Sequence, residues 1–206
     1  MSVPSQVSQV ATVDRDLTFL AAAKSTSQDA FLAIFDLHAP ALYNYAFFLC
    51  DSALIADQIV GEVFARLSED LLAGRGPRIN LRFYLYGIAY RLLADETYFS
   101  DRPPVDMLRW KDIRRGNNRL NAEDRPYVET VQRALRDDLK NDQRHVVVLR
   151  FMAGFSVKET AAIMGKTVTN VKVIQNRAMA ALREALGDPV VETRAISLLL
   201  ARMSGA

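Results

Sequence analysis

The sequence predicts an all-α fold of two small helical domains joined by a flexible linker, the second domain containing a helix-turn-helix. Three observations predict it. Apolar residues recur at helical spacing almost throughout, and no stretch alternates as a half-buried strand does. The pattern breaks between residues 100 and 126, where three prolines, several asparagines and many charges mark a connecting segment. The charge divides with it: residues 1–99 hold 7 basic and 11 acidic side chains, whereas residues 131–186 hold 10 basic and 5 acidic. A basic half within a chain of net charge +2 points to a second domain that faces nucleic acid.

Composition sets further bounds. Half of the 206 residues are hydrophobic, enough for packed cores. The longest apolar candidate, "AISLLLA", is far short of the roughly 20 residues that span a bilayer, so no membrane insertion is expected. Residues 1–26 lack the basic start and apolar core of a secretory signal and read as a flexible N-terminal tail, which makes the expected compartment the cytoplasm. Cys50 is the single cysteine, which excludes an internal disulfide and a cysteine-based zinc site.

The first domain is expected over residues 27–99. Phe31, Phe35, Leu42, Ala46 and Leu49 form one helical stripe, with Ser27 as its N-cap and Pro40 expected to kink the helix or divide it in two. Ala56, Ile59, Val60, Val63, Phe64 and Leu67 form a second, very regular stripe, which the "GRGP" turn at 74–77 ends. A third helix, from about Leu81 to Tyr98, buries Leu81, Leu85, Ile88 and Leu92. The linker spans 100–127. Within it Trp110, between Arg109 and Lys111, either stacks on a single strand or anchors the linker to a domain.

The second domain, 128–187, begins with Val131, Leu135 and Leu139 on one helix and Val146, Val147, Leu149 and Phe151 on another. Ser156 and Glu159 then form a capping-box pair ahead of an inner face of Val157, Thr160, Ala161 and Met164. Gly165 suits the left-handed turn that leaves this helix, and Ala161 and Ala162 would let the next helix cross closely. Thr167 can cap that next helix, whose inner face is Val171, Ile174, Ala178 and Leu182. Its opposite face carries Thr169, Lys172, Val173, Asn176 and Arg183, flanked by Arg177. Two short helices meeting at a glycine turn make a helix-turn-helix. An α-helix fits the major groove, where lysine, arginine and asparagine distinguish base edges and a valine meets a thymine methyl. Lys166 and Thr167 stand where a helix start reaches phosphate. Residues 188–206 add a C-terminal amphipathic extension with Val191, Ala195, Leu198 and Leu199 on one side.

The run "LKNDQRHVVVLRFMAGFSVKETAAIMGKTVTNVKVIQNRAMAALREAL" resembles the C-terminal domain of bacterial sigma factors, particularly the extracytoplasmic-function group. The resemblance implies that Thr169, Lys172, Val173, Asn176 and Arg177 read the upstream promoter element, with Arg144, Lys166, Thr167 and Arg183 on phosphates. "ADQIVGEVFARL" is similar to the helix by which that family binds the clamp of RNA polymerase core. It implies polymerase-binding roles for Asp57, Gln58, Glu62, Phe64 and Arg66. "LRFYLYGIAYRLLAD" resembles the region that opens the downstream promoter element. Opening a duplex needs rings to stack unpaired bases and cations to hold the strand, which Tyr84, Tyr86, Tyr90, Arg82 and Arg91 offer. Tyr84 and Arg91 stand where the family commonly has tryptophan and asparagine. The family also implies a regulatory partner, an anti-sigma factor or another protein.

No catalytic constellation accompanies these motifs. His38 and His145 are isolated, Asp57 and Glu62 do not share a helix face, and no glycine-rich phosphate loop occurs. Neither enzymatic activity, cofactor nor metal is expected. Three functions fit: a sigma factor that binds core polymerase and directs promoter-specific initiation; a stand-alone helix-turn-helix regulator; or a degenerate sigma-like protein that binds polymerase or a regulator without initiating.

Overall fold

The computed structural model describes residues 28–77, 80–95 and 125–187. Every regular element among them is helical. Helices α1 (Gln28–Cys50), α2 (Ala53–Leu72) and α3 (Leu81–Ala94) form a first set. Helices α4 (Arg125–Asp137) and α5 (Asn141–Val147), a π-helical turn (Val148–Met152), α6 (Val157–Ile163) and α7 (Val168–Leu186) form a second. Ser27, the N-terminal tail, Trp110 with nearly all of the linker, and the C-terminal extension lie outside the described residues.

In the first set the apolar stripes become the core. Phe35, Leu42 and Ala46 of α1 are buried, and Phe31 and Leu49 are half-buried. Pro40 does not divide α1, which runs unbroken through it. Proline contributes no N–H to the ladder, but Ala39 and Leu42 beside it are fully buried, and this packing holds the helix in one piece. Asp51 takes a left-handed φ of 51° and its N–H donates to the Phe47 carbonyl at 2.9 Å, turning the chain at the end of α1. Ser52 then caps α2, its Oγ accepting the Ile55 N–H at 3.4 Å. The whole predicted stripe of α2 is buried, with Phe64 packed at 4.7 Å against Phe35 and 6.2 Å from Phe31. Asn80 Oδ1 accepts the Phe83 N–H at 2.8 Å and starts α3. That helix buries Leu81, Leu85, Ile88 and Leu92 as expected but stops at Ala94, where Asp95 turns extended, short of Tyr98.

In the second set Val131, Leu135, Leu139, Val146, Val147 and Leu149 are buried, whereas Phe151 is only half-buried. The π-helical turn adds a residue to the backbone ring: the Ala153 N–H reaches the Val148 carbonyl at 2.8 Å.

The two sets pack against each other through an aromatic seam. Tyr45 of α1 and Tyr86 of α3 lie 5.0 Å apart, ring to ring, and Tyr86 meets Phe155, in the connection before α6, edge-on at 4.9 Å. The Tyr45 hydroxyl lies 3.0 Å from Nδ1 of His145, and the Tyr90 ring meets the same imidazole edge-on at 4.8 Å. Burial holds the Tyr45 phenol well above its ordinary range, so it keeps its proton and can donate to the neutral imidazole. At the rim Arg136 pairs with Asp51, and Arg144 Nη1 donates to the Leu49 carbonyl at 3.5 Å.

Phe64→Ala is expected to lower the unfolding free energy by about 3–5 kcal/mol, because it empties the centre of an aromatic cluster. Urea titration measures it; a change under about 1 kcal/mol would mean that the ring is not core. Burial pushes the His145 imidazole down to about 4, with Arg144 adding to the effect. The unfolded chain therefore takes up a proton below about pH 6.5 that the folded chain refuses. Stability should fall as pH drops from there towards 4, with the slope of one proton, about 1.4 kcal/mol per pH unit. Comparing urea midpoints of the native chain and His145→Gln across this window isolates the contribution; parallel curves would contradict it.

Candidate nucleic-acid interface

Local chemistry builds the helix-turn-helix. Ser156 Oγ accepts the Glu159 N–H at 3.2 Å, and the Glu159 carboxylate accepts the Ser156 N–H at 2.7 Å, completing the expected capping box. Gly165 takes a φ of 62°, where a side chain would be strained, and lets the chain leave α6. Thr167 Oγ1 accepts the Asn170 N–H at 3.2 Å and opens α7. Ala161 is buried where the helices cross, but Ala162 is exposed and takes no part in the close approach.

Helix α7 seats itself on a narrow stripe: Val171, Ala178 and Leu182 are buried, and Ile174 is half-buried. Thr169, Lys172, Val173, Asn176, Arg177 and Arg183 are all exposed, as the helical wheel predicts. Val173 is one of few large apolar side chains left open to solvent, at 42% exposure. Among the described residues, the side chains of Lys172, Asn176 and Arg177 make no hydrogen bond or ion pair. Cations, an amide and a methyl-bearing side chain thus share one convex face, matched to the edges of bases.

Two residues that sequence reasoning missed hold this helix in place. Arg150, on the π-helical turn, donates through Nε to Gln175 Oε1 at 3.0 Å and through Nη1 to the Phe155 carbonyl. One guanidinium therefore joins α7 to the connection that precedes α6. No local pattern announces a pair 25 positions apart.

The expected phosphate contacts are not all alike. Thr167 and Arg183 are exposed on the α7 side. Lys166 Nζ lies 2.9 Å from Asp142, whose carboxylate raises its pKa. Arg144 is half-buried and turned to the Leu49 carbonyl of α1, away from the α7 face.

The residues expected to open the downstream element gather on α3 but differ in access. Arg91 is exposed. Tyr84 donates its hydroxyl to Asp70, which Arg75 also holds at 3.2 Å; burial, then Asp70, push the phenol up to about 12. Tyr86 is 2% exposed and sealed in the seam. Arg82 is half-buried, its guanidinium 4.2 Å from the Phe155 ring centre and 5.5 Å from that of Tyr86. Tyr90 is half-buried against His145. The residues expected to bind polymerase also divide. Asp57, Glu62 and Arg66 reach the surface, the last two as an ion pair at 2.9 Å. Gln58 and Phe64 are buried, at 7% and 4%, and stand on the core side of α2 because they follow its apolar stripe.

Comparison with known proteins agrees with this geometry. Residues 137–184 match the family model "Sigma-70, region 4". SigD of Mycobacterium tuberculosis, an ECF RNA polymerase sigma factor, is 32% identical over 147 residues, covering 66% of this chain and 67% of SigD. BldN of Streptomyces coelicolor, another, is 27% identical over 169 residues, covering 81% of this chain and 64% of BldN. The fold is similar to CnrH, solved in complex with the cytosolic domain of CnrY, with a TM-score of 0.58 and 24% identity over 84% of this chain and 97% of CnrH. The chain, with a helix-turn-helix presented on a sigma-type helical fold, belongs to the ECF RNA polymerase sigma factors.

Proposed function

We propose that the chain binds core RNA polymerase and directs it to promoters, with α7 reading the upstream element. The observation that carries this reading is the exposed face of α7, where Lys172, Asn176 and Arg177 stand uncommitted among the described residues beside Val173. Such a face on a helix capped at its start and seated by a narrow stripe fits major-groove readout. One recognition helix and a few phosphate contacts give limited affinity, so the tethering of a second contact through polymerase is part of the reading.

The first helical set, over residues 27–99, acts in this proposal as the sigma region 2 unit. Asp57, Glu62 and Arg66 form its surface for the polymerase clamp, and α3 engages the downstream element. Residues 128–187 act as region 4, 100–127 as linker, and the tails 1–26 and 188–206 as accessory segments. The protein works in the cytoplasm and catalyses no reaction of its own. No helix among the described residues is long and apolar enough to cross a membrane, and none of their acidic, histidine and cysteine side chains cluster as a metal site would. A protein partner of anti-sigma type that restrains the chain completes the reading.

Purification with core polymerase and transcription from promoters mapped after overexpression tests the proposal. Co-purification with promoter-dependent transcripts is the expected result. Duplex binding without any polymerase association would favour a stand-alone regulator, and association without transcripts a degenerate sigma-like protein. Lys172→Ala and Arg177→Ala are each expected to weaken promoter affinity by about 1–3 kcal/mol, with circular dichroism unchanged. Promoter choice that survives Lys172→Ala would remove α7 from the readout.

A further inference from the structure

The seam between the two helical sets covers the very side chains that α3 would offer to unpaired DNA. Tyr86 is 2% exposed beneath Phe155, the Arg82 guanidinium lies over that same ring at 4.2 Å, and Tyr90 is turned onto His145. The readout face of α7, by contrast, stays open. The two DNA-directed surfaces thus differ in access within one conformation.

The seam is also built to come apart. Its polar links are ones that water can replace: Tyr45 with His145, Arg144 with the Leu49 carbonyl, and the Arg136–Asp51 pair, both of whose members are exposed. The Tyr86 hydroxyl and Arg144 Nε are buried there with no hydrogen-bond partner among the described residues. A buried donor without a partner is unfavourable, and separating the two sets returns both groups to solvent. A seam meant to be permanent would bury apolar groups at these positions.

We propose that the helix-turn-helix half is a built-in cover, which in the free chain closes over the α3 face and must swing away before Arg82, Tyr86 and Tyr90 can meet DNA. This rests on the reading of α3 as the downstream-element helix. Upstream recognition by α7 is independent of closure, whereas transcription requires opening.

Two measurements on the full chain test it, both in a Cys50→Ser background. In the first, Ala65→Cys and Ala180→Cys, exposed on α2 and α7, carry spin labels for pulsed dipolar distances. Closure gives one narrow distribution at the separation in this structure. A broad distribution at longer distances overturns the proposal, whatever becomes of the sigma reading. In the second, Asp51→Cys and Arg136→Cys are bridged across the seam by a short, thiol-cleavable cross-linker. The bridged chain should lose promoter-dependent transcription by about tenfold or more, because its competent fraction is removed, and regain it on reduction. It should still bind a duplex enriched from a random pool by the unbridged chain. Full transcription from the bridged chain, or loss of its duplex binding, overturns the cover. A released chain that associates with polymerase but makes no transcripts sinks the sigma reading instead, and the distances alone then judge closure.

Discussion

The hydrogen bond between Tyr45 and His145 joins residues 100 positions apart, and the arrangement of the two helical sets depends on it. Each set is small, and a unit of about 60 residues buries only about 60% of the surface its unfolded chain exposes. Packing one set on the other adds Tyr45, Tyr86 and Phe155 to the buried aromatics, so each half completes the other's core. An imidazole suits such a contact only while neutral. Burial keeps His145 in that form, and the protonated Tyr45 phenol supplies the donor its Nδ1 requires.

The DNA-directed face of α7 follows from how little of that helix the fold consumes. Val171, Ala178 and Leu182 are its buried residues, and three contacts at intervals of seven and four hold a helix of 19 residues. The remaining surface is free to carry charge and amides without weakening the core. The caps do the rest. Ser156, Gly165 and Thr167 satisfy or redirect the backbone at each helix end, so the angle between α6 and α7 is set by backbone geometry as well as by side-chain packing.

Much of this was legible in the sequence because it is local. The capping box, the glycine turn, the Thr167 cap, the stripe of α2 and the exposed wheel of α7 each depend on residues within a few turns of one another, where spacing determines neighbours. What escaped was set at long range. Tyr86 lies on α3 at a spacing compatible with a stacking platform, yet Phe155, 69 residues on, covers it. His145 looked isolated because both its partners, Tyr45 and Tyr90, belong to the other half. Gln58 and Phe64 follow a family pattern for polymerase contact, but their place beside Ile59 and Val63 turns them inward. Pro40 was expected to break α1 on local grounds, and the packing around Ala39 and Leu42 overrides that preference.

Phe155 connects the two themes of the structure. Its carbonyl receives Arg150 Nη1, and the same guanidinium holds Gln175 on α7 through Nε. Its ring receives Tyr86 edge-on and lies beneath Arg82. The backbone at this position therefore steadies the reading helix while the side chain covers the α3 face. The π-helical turn makes this double use possible. By widening the ring at Val148–Met152 it leaves Leu149 fully buried and directs Arg150 towards both Gln175 and the Phe155 carbonyl. Because Arg150 grips the carbonyl and not the ring, the contact that orients α7 lies wholly within the second set. The seam can part at the Phe155 ring without breaking either hydrogen bond that seats the recognition helix.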